Sequence, residues 1–135
     1  MDIKKFAVEE TSTIALLGPD DAPLVGEDGQ PMTVTVYGPG LKPYARAQAA
    51  QSNRLLDKLK RKGNANQSAD EKAREQAEFL AGCTKEFSAN IEYDGLKGEA
   101  LHRAVYLDQG IGYIAEQVGK HIGEWANFKA GSPKP

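Results

Sequence analysis

Among its 135 residues the chain has one cysteine, two histidines, one tryptophan and no long apolar run. Each shortage excludes a class of protein. Cys83 alone cannot form an intramolecular disulfide and has no metal-ligand spacing around it, which fits a reducing, cytosolic setting. No stretch approaches the roughly 20 apolar residues that span a bilayer, and Lys4 and Lys5 have no apolar segment behind them. A non-exported protein without a membrane segment is therefore expected. His102 and His121 have no carboxylate or cysteine at a ligand or triad spacing and read as surface or helix-end residues. Cys83, with no histidine near it in sequence, reads as a small buried hydrophobe. Asp20, Asp21, Glu27 and Asp28 lack the alternating spacing of a calcium loop and read as solvated turn residues. No metal, cofactor or nucleophile constellation can be assembled, so an enzyme is not expected.

What is present is a change of hydrophobic period between Pro31 and Arg61, PMTVTVYGPGLKPYARAQAAQSNRLLDKLKR. Met32, Val34 and Val36 alternate with Thr33, Thr35 and Tyr37, and β-branched residues dominate, so this is a strand. Gly38, Pro39, Gly40 and Pro43 stop it, and Pro43 suits a first helical turn, where its missing N–H has no partner to lose. Thr11–Leu17 predicts a second strand, with Ile14 and Leu16 on one face. The connection GPDDAPLVGEDGQP carries an Asp28-Gly29 turn signal and reads as a long hairpin loop, with Leu24 and Val25 tacked on the sheet. A two-stranded ribbon is marginal alone, so it must pack on helices or add to a partner's strand.

The first helix is expected over about 43–61, with a narrow stripe of Tyr44, Ala47, Leu55, Leu56 and Leu59 that leaves its middle with little to bury. Ser68-Ala69-Asp70-Glu71 fits a capping box for a second helix running to about Phe87, with Ala73, Ala77, Leu80, Thr84 and Phe87 inward. Ile91 and Tyr93 anchor the turn-rich joint that follows. A short helix is expected over about 98–107. A last helix over about 110–126 has Ile111, Ile114, Ala115, Val118, Ile122 and Trp125 at helical spacing and belongs in the core. Its glycines 112, 119 and 123 point to close helix approach or a frayed start. The fold class is α+β, mainly α. One domain is expected over 1–128, with a hairpin at about 11–37 and about four helices over 43–128, then a disordered tail at 129–135.

Gly110 to Ala115 spells G-x-G-x-x-A, yet Leu101 to Asp108 reads as helix where a dinucleotide site needs a strand. Residues 41–62 hold seven basic side chains against Asp57 alone, whereas 70–99 hold eight acidic against four basic. Such polarity would let copies attract one another head to tail, although solvated helix faces give the same pattern. The cluster Lys58, Lys60, Arg61, Lys62 sits where cations suit a helix C-terminus. With a pI of about 5.7, nucleic acid is not the expected partner.

Several segments together resemble the tail assembly chaperones of long-tailed bacteriophages and related small phage tail proteins. They are V-T-V-Y-G at Val34–Gly38, Y-A-x-A at Tyr44–Ala47, Asn53-Arg54, I-E-Y-D-G at Ile91–Gly95, and a last amphipathic helix ending in Asn127-Phe128. The resemblance implies a mostly helical protein of the host cytoplasm that self-associates, coats the tape measure protein during tail assembly and is lost from the finished particle. A structural virion protein, such as a head-tail or tail adaptor, is the alternative, followed by a nucleic-acid-binding regulator. The residues expected to carry self-association and client contact are Val34, Val36, Tyr37, Tyr44, Arg54, Lys58 and Arg61, through a free strand edge at 32–37 and the exposed helix behind it.

Overall fold

Alternating Thr and Val side chains form strands in the computed structural model, which describes residues 2–63, 68–124 and 128. Strands β1 (Thr11–Ala15) and β2 (Thr33–Tyr37) pair antiparallel, with Ile14 opposite Val34. Ile14, Leu16, Val34 and Val36 are buried on one face, while Thr13 Oγ1 meets Thr35 Oγ1 at 3.0 Å on the other. The loop between them is stitched down, with Leu24 N–H donating to Leu16 O and Met32 N–H to Leu24 O. Gly29 takes φ +78° in the turn, the left-handed conformation that the Asp-Gly pair predicts. Leu24 packs on the core as expected, but Val25 points to solvent.

Pro43 lies in the first turn of α1 (Lys42–Lys62), which ends at Gly63 in the left-handed conformation. Ser68 Oγ accepts the Glu71 N–H at 3.2 Å and starts α2 (Ala69–Cys83). The second helix does not run to Phe87. The chain leaves it at Cys83 and becomes β3 (Thr84–Phe87), antiparallel to β2. Sheet order is β1-β2-β3, so β2 is the central strand. The helix loses to the sheet here because β2 would otherwise have an unpaired row of backbone groups against the core.

Helices α3 (Gly98–Leu107) and α4 (Gly112–Ile122) follow, α4 being preceded by a tight turn at Gln109–Ile111. Trp125, Asn127 and the tail fall outside the described residues. The core joins Leu80 and Cys83 of α2, Val105 and Tyr106 of α3, and Val118 and Ile122 of α4 to the apolar sheet face. Phe128 closes it at 1% exposure. The glycines of α4 make no tight contact. Close approach occurs instead where α1 crosses α2, a Cβ on Gly82 lying 3.0 Å from the Ala47 Cβ.

Candidate functional site

Helix α1 rests on α2 through one side, and the sequence explains how. Ala47 and Gly82 let the backbones approach, the Tyr44 ring meets Phe79 edge-on at 5.6 Å, and two ion pairs continue the seam. Arg54 Nε donates to both Glu75 oxygens at 2.9 Å, and Lys58 Nζ pairs with the Glu71 carboxylate. Lys58 is buried, and its ammonium holds the Glu71 carboxyl below the usual carboxylate range. Opposite charges segregated along the sequence therefore meet within one chain, because α1 and α2 fold back as a hairpin. Two of the seven cations of 41–62 are spent internally in this way.

The other sides of α1 face solvent. Leu55, Leu56 and Leu59 are 40%, 52% and 39% exposed, flanked by the exposed Lys60 and Lys62. Large apolar side chains clustered on one helix and rimmed by charge mark an interaction surface more often than chance exposure does.

The expected contact residues separate into three groups. Val34 and Val36 are 0% exposed, in a strand flanked on both sides, and are not available to a partner. The sequence shows their apolar face but not that β3 covers the second edge of their strand. Arg54 and Lys58 hold α1 to α2, Tyr44 packs on Phe79, and Tyr37 is half-buried. Arg61 is exposed and lines the charged cleft between α1 and α2 with Arg54, Lys58, Glu71 and Glu75, with no ion pair among the described residues. The residues that sequence reasoning did not put forward, Leu55, Leu56 and Leu59, were visible as a stripe too narrow for a core helix.

Both histidines are buried rather than on the surface. His102 stacks on Phe87 with centroids 4.4 Å apart, and His121 Nε2 lies 2.8 Å from Ser12 Oγ. Burial pushes both below the usual histidine range, with Glu99 and Glu124 pulling weakly the other way. A histidine kept neutral in the fold binds fewer protons than it does unfolded, so stability is full above about pH 6.5 and falls as pH drops through the lowered values. Thermal unfolding between pH 7.5 and 5 should show this loss, and H102F, which keeps the ring packing, should flatten the slope. The Cys83 thiol, fully buried, is pushed up to about 12 and stays protonated. Among the described residues, no three His, Cys, Asp or Glu side chains are grouped to hold a metal ion, and no helix is long and apolar enough to cross a membrane.

The fold these residues define is an α+β arrangement of four helices and a three-stranded antiparallel sheet. Compared with protein-family models, curated proteins and solved structures, the chain matches none.

Proposed function

We propose that this chain is a tail assembly chaperone of the long-tailed phage kind, a non-enzymatic protein of the host cytoplasm that self-associates and coats a helical client, the tape measure protein. The observation that carries the reading is the exposed Leu55, Leu56 and Leu59 face of α1, flanked by Lys60 and Lys62. An amphipathic helix laid against it would bury its own apolar stripe on the leucines and set acidic residues against the cations. A coating protein needs such a site to be shallow and repeated in many copies rather than deep and tight, and three half-exposed leucines meet that need.

The test is light scattering after size exclusion, with fragments of a phage tape measure protein. Complex formation and concentration-dependent self-association are expected. L55K/L56K/L59K should abolish the complex while changing stability by less than about 1 kcal/mol, since these are surface positions. A strict monomer at high concentration that does not shift with tape measure fragments would overturn the proposal. Detection of the chain in purified particles would replace it with a structural virion component.

A further inference from the structure

The two outer edges of the sheet are treated differently. Just beyond β1, helix α4 holds the chain: Gln117 Oε1 accepts the Leu17 N–H at 2.8 Å and Gln117 Nε2 donates to Leu17 O at 2.6 Å. The Ser12–His121 contact adds a second tie between α4 and β1. On β3 no further strand pairs among the described residues. Ser88 N–H donates to Thr33 O at 2.8 Å, and because C=O and N–H point oppositely across a trans peptide, the Phe87 carbonyl is aimed away from β2. An edge left open like this is a template for an added strand.

A cavity of about 700 Å³ runs beside that edge, between β3 and the start of α3. Phe87, Ile91, Tyr93, Leu96, Leu101 and His102 give it an apolar lining, and Tyr93 Oη donates to Asp108 Oδ2 at 2.8 Å, fixing the far wall. Lys85 and Lys97 balance Glu86 and Glu92 in its lining, so neither sign of charge is favoured. His102 is 5% exposed, and its ring lies against Phe87 at the cavity wall.

We propose that the trough between β3 and α3 binds an extended, uncharged segment of a partner polypeptide, which adds as a fourth strand on β3 and sets alternate apolar side chains into the cavity. The open backbone edge selects an extended chain, since a compact apolar molecule would fill the cavity and leave the edge bare. Strand periodicity then places every second side chain over Phe87, Leu96 and Leu101. This site is separate from the α1 leucines and does not depend on the chaperone reading.

The experiment is an NMR titration of the isotope-labelled full chain with a capped heptapeptide of alternating valine and threonine. Shift changes should be confined to 84–102, and the same peptide N-methylated at alternate amides should bind at least about tenfold more weakly, as expected for the loss of two backbone hydrogen bonds. L55K/L56K/L59K should leave this binding unchanged, which keeps the two surfaces distinguishable. Equal binding of the methylated peptide would reduce the site to an apolar pocket and overturn strand addition. The proposal also fails if shifts lie elsewhere, if millimolar peptide produces none, or if the same residues shift with protein concentration alone, which would make a second copy the occupant.

Discussion

Val34→Asp is expected to leave no folded protein, with the chain recovered in the insoluble fraction or without cooperative thermal unfolding. Val34 sits at 0% exposure in the central strand, opposite Ile14 on β1 and Phe87 on β3. Losing the buried side chain alone costs about 1.5–3 kcal/mol. A carboxylate in its place has no cation within the apolar cluster around it, and an unpaired buried charge costs several kcal/mol more even after its pKa rises. Against a total stability of about 5–15 kcal/mol for a domain, that sum removes the folded state. Thr33→Asp one residue earlier, on the opposite and half-exposed face, should cost about 1 kcal/mol or less and keep a cooperative transition by circular dichroism. A folded Val34→Asp variant that fails only in self-association would restore the strand to the partner surface.

That contrast marks how far local pattern carries. The alternation in β1 and β2, the Pro43 start and Gly63 end of α1, the Ser68 cap and the span of α3 are all decided by neighbours within a few residues, and the sequence displays them. What was hidden depends on distant partners. Thr84–Phe87 fits a helical stripe through Leu80, Thr84 and Phe87, and only pairing with β2, some fifty residues earlier, turns it into a strand. Lys58 looks like one more cation at a helix end until α2 brings Glu71 beneath it. His121 finds Ser12 across 109 positions. Each of these is a non-local contact that no window of a few residues displays, and at β3 the pairing outweighs a helical preference of a few tenths of a kcal/mol per residue.

The same non-locality locates the functional surfaces. An isolated ribbon would have had two open edges, and the sequence alone leaves β2 as one of them. The chain closes that edge with β3, which moves the outer edge on this side of the sheet to β3, beside an apolar cavity. On the helical side the ion pairs of α1 take up Arg54 and Lys58, two of the cations that sequence assigns to partners, and they leave the leucines on solvent. Both surfaces are thus residues of what internal pairing does not consume.

Phe128→Ala should be the most damaging truncation of a single apolar side chain, costing about 3–5 kcal/mol. Phe128 is the largest of the fully buried side chains, at 1% exposure. It lies against β2 at Gly38, where a Cβ would come within 3.1 Å of its ring, and beside the His121 imidazole with centroids 5.9 Å apart. Its carbonyl accepts the Glu9 N–H at 2.6 Å, so the residue also ties the segment leading into β1 to the end of the chain's core. Removing the ring leaves a cavity bounded by strand backbone, which cannot collapse inward, and the cost should fall at the high end of the range. Denaturant unfolding would read it as a lower midpoint at unchanged slope, with Gly38 amides losing hydrogen-exchange protection first. Phe128→Leu should recover more than half of the loss. If Phe128→Ala instead costs less than about 1 kcal/mol, the ring is not part of the core and residues 2–10 are held by other contacts.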